Sequence, residues 1–97
     1  MKYYKSSSVK NHKLILYKLR FNKKSQGYFV ICIDNGPGLL AILSTKDYLK
    51  YKEKNILYKI IGVAKGKKEA KEVILQIVSD YYKKYKDFSD FKIRIQE

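Results

Sequence analysis

Residues 28–44 read YFVICIDNGPGLLAILS: a β-branched and aromatic run, a turn, and a second apolar run. Tyr28, Phe29, Val30, Ile31 and Ile33 are residue types that strands favour. The run is apolar on both faces, as suits a strand inside a sheet. Asp34-Asn35-Gly36-Pro37-Gly38 is among the strongest turn signals in the chain, because glycine tolerates positive φ and proline has its φ already fixed. The two runs are expected to form a hairpin, with strands over residues 28–34 and 39–44.

C-terminal to the hairpin, residues 45–55 (TKDYLKYKEKN) form either a short helix capped by Ser44 or Thr45, or a long loop. Residues 56–64 (ILYKIIGVA) read as a further strand. The clearest element follows over residues 67–86. Ala70, Val73, Ile74, Ile77, Val78, Tyr81 and Tyr85 recur at helical spacing, and Leu75 and Tyr82 widen that apolar arc to about 200°. A helix lying on one sheet needs less, so either the N-terminal arm covers the flank or another molecule does. In residues 91–96 (FKIRIQ), Phe91, Ile93 and Ile95 alternate with Lys92, Arg94 and Gln96, the pattern of an edge strand.

N-terminal to the hairpin, residues 13–22 contain the apolar-rich run LILYKLRF. A period of two puts Ile15, Tyr17, Leu19 and Phe21 on one face of a strand. Residues 22–27 are a turn, and residues 1–12 (MKYYKSSSVKNH) read as a loose basic arm. The expected fold is α+β: a four- to five-stranded, mostly antiparallel sheet with one long C-terminal helix on one face. Its element order is β-β-β-(short α)-β-α-β, in a single domain over residues 13–97.

The chain has 97 residues, 22 Lys+Arg against 9 Asp+Glu, a net charge of +13 and 45% apolar residues. That length supports one modest core, and the apolar fraction argues against wholesale disorder. The longest uncharged stretch, residues 35–45, is 11 residues long and contains Gly-Pro-Gly, so no membrane span is expected. No apolar segment follows the basic N-terminus, which points away from a secretory signal and towards a soluble, cytoplasmic domain. One cysteine (Cys32) and one histidine (His12) allow neither an intramolecular disulfide nor a Cys/His zinc cluster. No cofactor is expected.

Twenty of the basic residues are lysine and two are arginine. Lys, Tyr, Ile, Asn and Phe supply half of the chain, a bias that AT-rich codons produce without selection for binding. Recognition of phosphates or base edges would instead raise arginine. The charge is also uneven: residues 1–33 carry +8, residues 34–66 carry +3 and residues 67–97 carry +2. Whatever its origin, such a field attracts polyanions.

Catalysis finds little support. His12 lies in the arm, and Cys32 lies mid-strand, where a thiol acts as a small hydrophobe. A turn carboxylate and a helix-start carboxylate account for Asp34 and Asp47. Residues 62–68 (GVAKGKK) join a strand to a helix, but the glycines are one residue too close for a Walker A loop, and Lys68 stands where Ser or Thr would bind magnesium. The same segment carries a better signal. Lys67, Lys68 and Lys71 gather at a helix start, where the dipole disfavours cations, and this suggests that an anion docks there.

Gly62-x-Ala64-x-Gly66-Lys67-Lys68-x-Ala70-Lys71 resembles the strand-to-helix junction of double-stranded-RNA-binding domains, G-x-G-x-[ST]-K-K-x-A-K. Gly36-Pro37 resembles the Gly-Pro-x-His loop of that family. The resemblance is confined to these two stretches. It implies that the three lysines meet phosphates across the major groove and that the loop reaches a minor groove. Residues 81–86 (YYKKYK) and 48–52 (YLKYK) also mix tyrosine with lysine and invite base stacking with phosphate neutralisation. The favoured readings are Tyr81 and Tyr85 in the core with lysines capping the helix dipole, and a solvated face with two anchoring aromatics over 48–52.

The sequence thus points to a small non-enzymatic module that binds RNA or DNA through its phosphates. The contacts expected are Lys67, Lys68 and Lys71, with Lys18, Arg20, Lys23 and Lys24 from the first strand and its turn. The alternative is a protein–protein interaction or regulatory module that binds an acidic protein or itself, motivated by strands apolar on both faces with one long helix to cover them.

Overall fold

The computed structural model describes residues 3–95. The hairpin is present: β2 (Tyr28–Ile33) pairs antiparallel with β3 (Leu40–Ser44), Val30 opposite Leu43 and Cys32 opposite Ala41. In its turn Asp34 Oδ2 accepts from the Gly38 N–H at 2.8 Å. A Cβ on Gly38 would stand 2.7 Å from that oxygen, so a larger residue there would displace the Asp34 carboxylate from this contact. β4 (Ile60–Lys65) pairs antiparallel with the other edge of β2, through a bulge opposite Ile31 and Cys32. β1 (Tyr4–Lys5) pairs parallel with β4, giving the sheet order β1-β4-β2-β3. β2 is therefore internal, as its two apolar faces demand.

The charged segment after the hairpin is a helix, α2 (Thr45–Glu53). Ser44 caps it, accepting the Asp47 N–H on its hydroxyl at 3.0 Å. The long helix is α3 (Lys67–Tyr85), which buries Ala70, Val73, Ile77 and Tyr81 against Ile31, Ile33, Ile61 and Ala64. Gly62 permits this approach, since a Cβ there would meet Val73 Cγ1 at 3.3 Å and Ile31 Cβ at 3.4 Å. The fold class is α+β, a four-stranded mixed sheet with two of its three pairings antiparallel.

Two expected strands are helices. The run expected as a strand over residues 13–22 is α1 (His12–Arg20). Asn11 caps it, accepting the Leu14 N–H at 3.1 Å. Ile15 and Leu19, one helical turn apart, are buried, while Tyr17 and Phe21 are exposed. A period of two did not decide here, because Leu14 and Leu16 made the second face of the supposed strand part apolar beside Lys18 and Arg20. Leucine favours helices, and an asparagine cap before the run is a helix-start signal.

The segment expected as an edge strand over residues 91–96 contains α4 (Phe91–Arg94). Phe91 is buried and Ile95, four residues on, packs against the same core, whereas Ile93 is 66% exposed. The spacing that matters is helical; Gln96 lies outside the described residues.

The arm is not loose over residues 3–9. Tyr4 and Lys5 extend the sheet, and Ser6 and Val9 are buried. The fourth strand begins at Ile60 rather than at residue 56.

The corrections trace to both faces of the sheet: α4 adds Phe91 and Ile95 to the cluster under α3, and α1 covers the second face. Val30, Cys32 and Val63 point away from α3 and pack with Val9, Ile15 and Leu19, with Tyr48 and Leu49 of α2 alongside. α1 and α2 thus cover the face that seemed to lack a partner. On α3 the widened arc stays open at Leu75, 69% exposed, and at Tyr82, 51% exposed. Among the described residues no helix is long and apolar enough to cross a membrane.

Cys32 lies at the centre of this second layer, fully buried, and burial pushes its thiol up to about 12. At pH 8 a thiol so placed is ionised about a thousandfold less than an ordinary cysteine. Alkylation by iodoacetamide, followed by mass spectrometry, should therefore be slow in the native protein and rapid in guanidinium. Equal rates in the two states would mean that this layer opens freely.

Candidate nucleic-acid interface

The seven basic residues singled out in the sequence do not form one cluster. Lys18 and Lys24 come together in an open cleft of about 620 Å³ between α1, the N-terminal arm and the start of β2. Lys10 and Lys65 line the same cleft, with Ser8, Asn11, Leu14, Ser25, Gln26 and Tyr28 among its other walls. Four lysines thus line a space that has no carboxylate among its described lining residues. The Ser25 hydroxyl, in the same wall, is buried without a hydrogen-bond partner. Its backbone is fixed by Thr45, whose hydroxyl accepts the Ser25 N–H and donates to the Ser25 carbonyl, both at 2.9 Å.

Lys67, Lys68 and Lys71 are exposed on the first turns of α3. That helix starts at Gly66, whose φ of +84° needs glycine and whose N–H donates to the Gly27 carbonyl at 2.8 Å. Among the described residues no side chain caps its N-terminus. The cleft reaches this helix start through Ser8, whose hydroxyl donates to Glu69 Oε2 at 2.7 Å. Hydrogen bonds from Ser6 and Ser8, together with the charge of Lys65, hold the Glu69 carboxyl below its usual range. Glu69 therefore ties the arm to α3 as an anion, one residue behind the cleft wall.

Arg20 and Lys23 stand apart. Arg20 lines a separate hollow of about 290 Å³ with Tyr48, Tyr58 and Lys59. The carbonyls of Leu19 and Arg20 each accept from Lys52 Nζ at 3.1 Å, a contact that caps the end of α1 and docks α2 on it. Lys23 is exposed in the following loop and lines neither space.

Lys10 and Lys65 escaped sequence reasoning. Lys10 belongs to a segment read as an arm, and Lys65 occupies an unspecified position of the junction motif. The one available signal for Lys65 was its place two residues before Lys67. Gly36-Pro37 lies elsewhere. The turn follows the end of β2 at Ile33, whereas the cleft and the start of α3 adjoin its beginning at Tyr28. Along a strand that separation is about 17–20 Å. The two stretches that resemble RNA-binding domains are thus at opposite ends of β2, and Lys92 Nζ binds the Gly36 carbonyl from α4.

Other lysines are spread over α2 and over the far end of α3, as composition bias alone would leave them. Among the described residues no group of three or more His, Cys, Asp or Glu side chains could hold a metal ion. Comparison with protein families, curated proteins and solved structures finds no match to this chain. What the cleft can do is read from its own residues.

Proposed function

We propose that this protein is a non-enzymatic module that binds nucleic acid, with phosphates held in the cleft between α1, the N-terminal arm and the start of β2. The observation that carries this reading is that Lys10, Lys18, Lys24 and Lys65 line one cleft with no carboxylate among its described lining residues. Four cationic side chains lining one cleft raise its positive potential and attract an anion, although Glu69 already offsets part of the charge of Lys65. The cations continue past the cleft to Lys67, Lys68 and Lys71 at the uncapped helix start, where free N–H groups and dipole add to the attraction. A row of cations longer than one pocket suits a ligand with repeated phosphates.

Titration of labelled oligonucleotides at several salt concentrations tests this. Contact with four to six phosphates should give a slope of log K against log[salt] of about −3 to −5. Binding no tighter than that of a scrambled lysine-rich peptide would count against it.

Self-association keeps one observation in its favour, the exposed Leu75 and Tyr82 on α3. The larger motive for it, an uncovered sheet face, has gone, because α1 and α2 occupy that face.

A further inference from the structure

Tyr17 and Phe21 are exposed by 61% and 55%, and their rings stand 4.8 Å apart on the outer side of α1. The core does not need them there, since Ile15 and Leu19 already supply the buried side of this helix. Their position relative to the cleft gives them a use. Tyr17 is three residues from Leu14, and Phe21 is three from Lys18, a spacing that makes neighbours on a helix surface. Leu14 and Lys18 both line the cleft. The ring pair is therefore its outer lip.

We propose that this lip is a stacking platform for unpaired bases, so that the ligand of the cleft is single-stranded nucleic acid. This rests on the phosphate-binding reading and narrows it. A base in a duplex has both flat faces covered by its neighbours. A base in a single strand can lay one face on an exposed aromatic ring, with little regard to sequence. The phosphates of the same strand then meet Lys10, Lys18 and Lys24. Charge selects this occupant over an apolar protein surface. Residues 1–33 contain no acidic side chain, so α1 itself brings only cations beside the rings, while Glu53 shares a hollow with Lys52 and with Asn22, the residue after Phe21. A partner that brings flat apolar rings and a negative charge at every link satisfies both features at once.

The test compares fluorescence anisotropy of an unstructured labelled oligonucleotide with that of a hairpin duplex of equal phosphate count, at one salt concentration. The native protein should bind the single strand more tightly. Tyr17→Ala combined with Phe21→Ala should weaken single-strand binding by about five- to a hundredfold and leave duplex binding unchanged. Circular dichroism should show the double variant folded, because both side chains lie outside the core. Tyr17→Phe, which keeps the ring, should retain affinity. Equal affinity for the two ligands, or equal weakening of both in the variant, overturns the stacking platform and leaves phosphate binding standing. Absence of salt-sensitive binding to either ligand overturns both. Ring-dependent binding to anionic vesicles, with oligonucleotide affinity unaltered, overturns the proposal in favour of a lipid surface.

Discussion

Phe91→Ala is expected to remove about 3–5 kcal/mol of stability, read as a lower urea midpoint with little change in slope. Phe91 is 2% exposed and belongs to the main core cluster, although it comes from a helix of four residues. Its ring meets Tyr81 edge-on, with centroids 4.7 Å apart, and Phe88 at 6.0 Å. Tyr81 in turn stacks on Phe88 at 5.6 Å and donates its hydroxyl to the Ser89 carbonyl at 3.4 Å. Truncation leaves a cavity at the centre of this cluster, which relaxes only in part. A domain of this size has about 5–15 kcal/mol to lose, so the change removes a large share. Ile93→Ala, at a side chain 66% exposed two residues away, should shift stability by no more than about 0.5 kcal/mol. Similar small effects at both positions would show that the C-terminal segment is not part of the core. If instead residues 91–96 formed an edge strand with Phe91, Ile93 and Ile95 inward, all three truncations would be costly. The contrast between Phe91 and Ile93 separates helix from strand.

Reversing two charges in the cleft, Lys18→Glu with Lys65→Glu, should weaken oligonucleotide binding by at least about tenfold and flatten the salt dependence. Each phosphate that is no longer neutralised lowers the slope of log K against log[salt] by about 0.7 for a single strand and 0.9 for a duplex. Two such phosphates should therefore lower it by about 1.4–1.8. Lys54→Glu with Lys83→Glu is the control, because it removes the same net charge at the end of α2 and near the end of α3. Lys83 lies some 16 residues along α3 from Lys67, about 24 Å of helix rise. If affinity depends on the general field, the two double variants will fall together. If it depends on the cleft, the control will weaken far less. An equal effect in both would sink the assignment of this site and return the lysines to composition bias. Lys18 and Lys65 suit the test because neither takes part in core packing. Lys52 would not serve, since it holds the end of α1.

The part of the site legible in the sequence was the helix start. Lys67, Lys68 and Lys71 are close in the chain, and the strand-glycine-helix junction that presents them is a local pattern. Lys18 and Lys24 also stand out in the sequence, but in a different setting, a strand and its turn. The structure moves them onto and beyond a helix and places them beside Lys10 and Lys65, which come from separate segments. No periodicity within one stretch reports that encounter. Arg20 shows the converse: a basic residue two positions from Lys18 in sequence faces a different hollow, because two residues along a helix is a turn of about 200°.

The fold divides along the same line. The hairpin and the stripe of α3 arise from interactions within a few residues, so pattern and turn chemistry were enough to place them, whereas α2 stayed open between a loop and a helix capped by Ser44 or Thr45. α1 and α4 were open to two readings, because their apolar residues fit both a period of two and a helical spacing. The choice was made by distant surfaces. Val30, Cys32 and Val63 needed a cover on the second face of the sheet, and Ile15 and Leu19 of α1 supply it one helical turn apart. Tyr81 and its neighbours needed a cap, and Phe91 and Ile95 supply it at the same spacing. Local backbone preferences differ by only tenths of a kcal/mol per residue, whereas burying one large side chain contributes about 1.5–3 kcal/mol. Where short-range signals are nearly balanced, burial against remote parts of the chain decides the element, and with it which lysines come to share a cleft.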